Sequence, residues 1–217
     1  MEIREILLAR VLQMTHTTPG EAEYYPDLIP KIRKRYQFAI APKNEDLVPS
    51  DPPKGAEFRI GKLEIDGRTI VINVFTVFSD GVVVDTATST DDADLFLSDL
   101  TQWAKEAIPN ITFKGPRYYL NQMEVQTTAS LENYLPSLMP IGEKISKLLR
   151  TYETAVPSYQ VSTVALHFDQ LGKNLPQPGA FSLERRANVA YAQNVWFAQA
   201  PLKTRDHVAL LTELERS

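Results

Sequence analysis

Two turn signals constrain this chain more than any other feature. Asp66-Gly67 and Ser79-Asp80-Gly81 separate three apolar-rich runs, EFRIGKLEI, TIVINVFTVF and VVVDTAT. Turn positions with φ > 0 favour Asp and Gly, so Asp-Gly between such runs is a strong hairpin signal. Residues 57–88 therefore predict an antiparallel meander. In its middle strand Ile70, Ile72, Val74 and Phe78 fall on one face, with Val71, Phe75 and Val77 on the other. That pattern predicts a strand covered on both faces and central in its sheet.

A helix is expected immediately afterwards. In STDDADLFLSDLTQWAKEAIP, Ser89 or Thr90 is a cap, and Asp91, Asp92 and Asp94 sit at the positive end of the helix dipole. Phe96, Leu100, Trp103, Ala104 and Ala107 recur at helical spacing, and Pro109 ends the run. Three early acids also suit a divalent cation, but first-turn electrostatics account for them and no metal site is predicted.

The second half repeats this grammar. YYLNQMEVQT (118–127) is strand-like; Ser130 opens a helix through Leu131, Leu135, Leu138, Ile141, Ile145 and Leu148, bent or split by Pro136 and Pro140. YQVSTVALHF (159–168), AFSLERRA (180–187) and NVWFAQA (194–200) read as strands, and Thr204 caps a last helix through Val208, Leu211 and Leu214. This is β-α-β-β-β-α. The same order fits the first half if EIREILLARVLQM, whose Ile3, Leu7, Val11 and Met14 also suit a helix, is the opening strand and DLIPKIRKRYQF the helix after it. The expected fold is therefore α+β, an antiparallel sheet of six to eight strands with helices on one side. It is a single domain, 1–217, holding two β-α-β-β-β-α pseudo-repeats, 1–112 and 113–217, jointed at Gly115-Pro116. Two loops interrupt it, the Pro-rich APKNEDLVPSDPPKG (41–55) and QLGKNLPQPG (170–179), both candidate partner-contact segments.

Composition removes several chemistries. The chain of 217 residues has no cysteine, which excludes disulfides, thiolate catalysis and nearly all structural zinc sites and suits a reducing cytoplasm. Glu2, Arg4 and Glu5 do not read as a signal peptide, and no apolar run approaches the roughly 20 residues of a membrane span. A net charge of -4 offers no general attraction to nucleic acid. The one basic run is KIRKR, where Lys31, Lys34 and Arg35 share a helix side opposite Ile32 and Tyr36; with Arg33 these form the candidate nucleic-acid surface. Neither GxxxxGK[ST] nor GxGxxG occurs, so P-loop nucleotide hydrolysis is excluded and no cofactor is implied.

The histidines, His16, His167 and His207, show no metal-ligand spacing. His167 precedes Phe168 and Asp169, but neighbouring strand residues face opposite ways and no GxSxG elbow accompanies them, so a strand or rim histidine is the default reading. His207, in the first turn of the last helix, reads as a surface or interface residue. Arg185 points with Phe181 and Leu183 toward the apolar face and needs a partner carboxylate or a hydrogen-bonded site there, as a buried ion-pair member or as an anchor for an anion or a partner. On strand 118–127, Tyr119, Met123 and Val125 face inward together with Arg117 and Asn121. Those two polar groups on an apolar face either hydrogen-bond the joint or mark a site. Trp103 and Trp196 are candidate lining groups for any cavity between sheet and helices.

Gly115, Arg117, Tyr118 and Asn121 give this strand a resemblance to the G-L-R-Y-x-N strand of a sporadically distributed family of uncharacterised bacterial proteins. Pro116 stands where the family has an apolar residue, and an extra tyrosine shifts the asparagine. The resemblance implies a bacterial, cytosolic chain with an opening strand and short helix before a meander; it implies no activity.

The functional expectation is a non-catalytic protein-interaction module, a component or regulator of a larger bacterial assembly. It rests on the absence of catalytic motifs, the Pro-rich loop and the aromatic segment NVWFAQAPL. The alternatives are a small-ligand binder or enzyme with a pocket near Arg117, Tyr118, Asn121, His167, Arg185 and Trp196, and nucleic-acid binding through Lys31, Arg33, Lys34 and Arg35.

Overall fold

The computed structural model describes residues 1–16, 25–43, 55–107, 111–128, 130, 138–151, 159–167 and 178–216. In chain order its elements are β1 (Glu2–His16), α1 (Tyr25–Arg35), β2 (Ala56–Ile65), β3 (Arg68–Val77), β4 (Gly81–Thr86), α2 (Thr90–Ala107), β5 (Thr112–Gln126), α3 (Met139–Leu149), β6 (Thr163–Leu166), β7 (Phe181–Arg185), β8 (Val195–Ala200) and α4 (Thr204–Arg216). The eight strands form one sheet in the order β2-β3-β4-β1-β5-β8-β7-β6, every neighbouring pair antiparallel. The class is α+β. Most of the two predicted loops, 44–54 and 168–177, lies outside the described residues, as do Pro136, Phe168 and Asp169.

The opening segment is a strand because both its neighbours need one: it pairs with β4 on one side and β5 on the other. Around that central β1–β5 pair the two halves run outward in the same sequence, 1-4-3-2 and 5-8-7-6. Adding 114 to the positions of α1, β4 and the first residue of α2 lands on α3, β8 and the first residue of α4. In strand register, Ala9 pairs with Thr86 and Asn121 with Ala200, so Ala9 and Asn121 hold matching places; they also pair with each other. A two-fold axis between Ala9 and Asn121 would generate this arrangement.

At Asp66-Gly67 the turn chemistry is as the sequence predicts, whereas Asp80 and Gly81 have no positive φ and that turn closes through the Phe78 N–H donating to Gly81 O at 2.8 Å. Asp66 and Gly67 both have positive φ, 51° and 75°, the pair of values that a two-residue hairpin turn of the matching twist requires. Four local readings are corrected. β3 is second from the sheet edge, not central. Its Phe75 joins Ile70 and Ile72 in the core while Val71 is 49% exposed, because the β2–β3 ladder breaks at Ile60, whose φ is 55°, and both strands change inward face there. Gly115-Pro116 is not a joint but lies inside β5, where the register shifts between Gln13↔Arg117 and Thr15↔Phe113. A bulge is one of the few places where a sheet tolerates proline, which donates no ladder hydrogen bond. The predicted strand at 159–168 shrinks to β6.

Helices α1, α2 and α4 cover the face that carries Val11, Met123 and Val125. In the first half, Leu28 and Ile32 of α1 and Phe96, Leu97 and Leu100 of α2 close over Phe58, Ile72, Phe75 and Val84. The segment after α1 adds Tyr36 and Phe38 and pairs with β2 through the Ile40↔Arg59 bridge. Gly61 admits this ring: a Cβ there would stand 2.4 Å from Phe38. Full burial of such side chains contributes about 1.5–3 kcal/mol each. The second half has a smaller cluster among the described residues, Met123, Val125, Leu183, Trp196, Ala198 and Leu211, to which α3 contributes nothing.

Candidate functional site

Strand β5 presents Arg117, Tyr119 and Asn121 to the helix-bearing face, next to the apolar Met123 and Val125, as its alternation predicts. Each polar group there meets a helix. Arg117 donates to Asp94 Oδ1 at 2.7 Å and to the Asp94 carbonyl, and reaches Ser98 Oγ and Gln13 Oε1. Lys203, just before α4, donates to Asp94 Oδ2 at 2.9 Å, and the Tyr119 hydroxyl lies 3.2 Å from the same oxygen. The Asp94 bond raises the Lys203 ammonium above its ordinary pKa, and burial raises the Tyr119 phenol. Asp94 thus ties α2, β5 and the start of α4 together.

The predicted acidic cluster is therefore divided. Asp92 pairs with Arg68 at 3.0 Å, and Ser89 caps α2 by accepting from the Asp92 N–H. Among the described residues no group of three or more His, Cys, Asp or Glu side chains could hold a metal.

The second centre lies on the axis between the halves. Thr90 and Thr204, each the first residue of its helix, bond reciprocally: the Thr90 N–H donates to Thr204 Oγ1 at 2.9 Å and the Thr204 N–H to Thr90 Oγ1 at 2.8 Å. Each hydroxyl satisfies a helix-start donor of the other half. Asn121 is fully buried and donates to Leu8 O and Thr204 Oγ1, so its Oδ1 accepts from His207 Nδ1 at 2.8 Å. That assigns the proton of the neutral ring to Nδ1. His207 Nε2 is buried without a hydrogen-bond partner among the described residues, and the Phe181 ring stands edge-on to the imidazole. Burial lowers the pKa to about 4. The reading of His207 as a surface or interface residue is thus corrected: it is 0% exposed. A signal existed in KTRDHVALL, where Thr204, His207 and Leu211 recur at one-face spacing. In the first half the matching positions of Asn121 and His207 are Ala9 and Ala93, both also fully buried.

This cluster is structural chemistry, and Thr204→Val tests it. The isosteric change leaves the Thr90 N–H and an Asn121 amide hydrogen without their acceptor in a buried place, at about 1–3 kcal/mol each. A loss of about 2–4 kcal/mol in urea unfolding is expected. Thr204→Ser, which keeps the oxygen, should lose much less; equal losses would remove the hydrogen bonds from the explanation.

Arg185 and Trp196 also sit together, at the far end of the same face. The guanidinium lies 4.0 Å from the Trp196 ring centroid and 4.6 Å from that of Tyr191, and donates to Tyr191 O at 2.7 Å. Weaker bonds reach Asn194 Oδ1 and Ser130 Oγ. The sequence anticipates a carboxylate or a hydrogen-bonded site; the hydrogen bonds to Tyr191, Asn194 and Ser130 are of the second kind, and two aromatic rings join them, neighbours that a planar, weakly hydrated cation suits. Arg185 is in register with Trp196 and Asn121 with Ala200, four residues along β8 or about 13 Å at strand rise. The two polar centres do not converge.

The remaining candidates are separate again. His167 is exposed beyond the end of β6, and Tyr118 points to the opposite face of β5 from Asn121. On α1 Ile32 is buried and Lys31, Arg33, Lys34 and Arg35 are exposed, and Tyr36, the residue after the helix, is buried, as the helical reading predicts. Arg35 is engaged bidentately by Asp99, which also accepts from the Tyr36 hydroxyl at 2.7 Å. Trp103 flanks Arg35 at 6.0 Å. A shallow, open depression of about 450 Å³ beside α2 is lined by Ser98, Thr101, Gln102, Lys105, Glu106 and Arg117. Only one candidate side chain, Arg117, reaches it, and that side chain is held by Asp94.

In comparison with known proteins, no family model and no curated protein sequence matches this chain. Among the described residues no helix is long and apolar enough to cross a membrane.

One exposed feature remains. Helix α3 carries Ile141, Ile145 and Leu148 at 53%, 37% and 51% exposure, preceded by Leu138 at 43%. Its inward side is small and polar. Ser146 is buried, donates to Gly142 O and accepts from the Tyr159 N–H at 2.8 Å. Gly142 packs so closely that a Cβ would stand 2.6 Å from Tyr159 O.

Proposed function

We propose that this chain is a non-catalytic protein-interaction module of a bacterial, cytoplasmic assembly, and that α3 is its contact element. The observation that carries this reading is the exposed apolar stripe of α3, on the helix side opposite the Gly142 and Ser146 contacts with Tyr159. Apolar side chains left together on one helix face are the usual mark of a docking surface. The dispersal of Arg117, Asn121, Arg185 and His167 supports the same reading, since acid, base and nucleophile must lie within hydrogen-bond reach of one substrate to act together. The resemblance carried by Gly115, Arg117, Tyr118 and Asn121 supports the bacterial, cytosolic setting.

The test is parallel affinity capture from cells of the source organism with the wild-type chain and an Ile141→Asp/Ile145→Asp variant. A protein retained by the first and lost by the second is expected. Identical capture by both would refute α3 as the contact element. A melting-temperature rise with any member of a metabolite panel would favour the ligand-binding alternative instead.

A further inference from the structure

The two halves place α1 and α3 at matching positions, 114 residues apart, and the pair shows an inversion. Where α1 turns Leu28 and Ile32 into the core, α3 has Gly142 and Ser146. Where α1 presents the exposed Asp27, Lys31 and Lys34, α3 presents Ile141, Ile145 and Leu148. The second helix has exchanged its faces: the side that is charged and solvated in one half is apolar in the other.

The spacing of the stripe specifies a shape. Leu138, Ile141, Ile145 and Leu148 are separated by three, four and three residues, the a/d pattern that receives the side chains of another helix. The flanking charge specifies a sign. Lys144 borders the stripe at a g position, and across residues 138–151 three cations, Lys144, Lys147 and Arg150, stand against the single carboxylate Glu143. All four are exposed. Within a chain of net charge -4 this is a locally cationic surface. A second copy of α3 would not complement it, since an antiparallel pair sets Lys144 near its own copy and a parallel pair sets it against Leu149.

We infer that the outward face of α3 receives an acidic amphipathic helix of a partner protein, with its apolar side chains between those of the stripe and its carboxylates beside Lys144 and Lys147. The inference rests on the interaction reading above and adds the partner's chemistry. A narrow a/d stripe favours a helix over a lipid surface, which recruits a broader apolar face.

The experiment uses the full chain and two labelled synthetic helices of about three heptads. Both carry leucine at a and d; one has glutamate and the other lysine at e and g. In fluorescence anisotropy the acidic helix should bind at least about tenfold more tightly than the basic one, with affinity falling as salt rises. Ile145→Glu should reduce that affinity by about tenfold or more. Lys144→Glu/Lys147→Glu should reverse the preference between the helices while leaving the melting temperature unchanged, as expected for exposed positions. Equal affinity for both helices would overturn the acidic partner and leave the docking surface standing. Concentration-dependent dimers abolished by Ile145→Glu would overturn it in favour of a second copy. Sedimentation with anionic vesicles, lost in the same variant, would overturn it in favour of a membrane surface. No binding to either helix, with a monomeric chain and no vesicle association, would sink both this inference and the interaction reading.

Discussion

Phe96→Ala is expected to cost the fold about 3–5 kcal/mol. Phe96 is 0% exposed on the inward face of α2. Its ring centroid lies 4.6 Å from that of Tyr36, 5.4 Å from Phe75 and 6.4 Å from Phe38. Those partners come from β3 and from the segment after α1, so the ring joins three parts of the first half. Truncation removes its transfer free energy and leaves a cavity that cannot collapse. The β2–β3 ladder behind it is fixed, and Tyr36 is held in place by the bond to Asp99. Urea unfolding monitored by circular dichroism measures the loss. Ile145→Ala, on the exposed stripe of α3, should change stability by no more than about 0.5 kcal/mol in the same assay. A loss below about 1.5 kcal/mol for Phe96→Ala would show that the aromatic cluster is not packed as described.

The contrast between these two residues also shows where sequence reasoning stops. Phe96 and Ile145 look alike in the sequence: each belongs to an apolar series at helical spacing, and the general rule turns such a series inward. Position decides otherwise for α3, because Gly142 and Ser146 permit a closer approach to Tyr159 than branched side chains do. Nothing in residues 138–149 taken alone announces which face wins. The meander was legible because Asp66-Gly67 names its own turn geometry. The inward placement of Arg117 and Asn121 was legible because strand alternation needs only local information. The face of Phe75 was not, since it depends on a left-handed backbone at Ile60, for which an isoleucine gives no warning. The partner of Arg185 was not either: Trp196 lies beside it only because β7 and β8 pair, a contact that sequence distance hides. The pair of bonds between Thr90 and Thr204 is the extreme case, joining the first residues of two helices 114 positions apart.

The buried histidine at that same junction gives the second large effect, one of pH. His207 ordinarily titrates near 6.5 and in the folded chain near 4, because burial disfavours the imidazolium. The bond from Nδ1 to Asn121 does not help the charged form enough, since a second proton would go on Nε2, which has no acceptor among the described residues. The unfolded chain therefore binds a proton between pH 6.5 and 4 that the native chain does not. Stability rises with pH wherever the unfolded state holds more protons, so this residue leaves stability intact above about pH 6.5 and erodes it progressively on acidification toward 4. The full window corresponds to about 3 kcal/mol. Carboxylates titrate in the lower part of this range too, so the informative quantity is the difference between wild type and His207→Gln, each unfolded in urea at several values from pH 4 to pH 8. The variant should be less stable at neutral pH, having lost a packed ring, yet it should show a shallower decline between pH 6.5 and 5, where few carboxylates titrate. Parallel curves across that interval would mean that His207 is protonated in the native state. The closed polar junction between the two halves, with Asn121 and His207 standing where the first half has Ala9 and Ala93, would then have to be open to water.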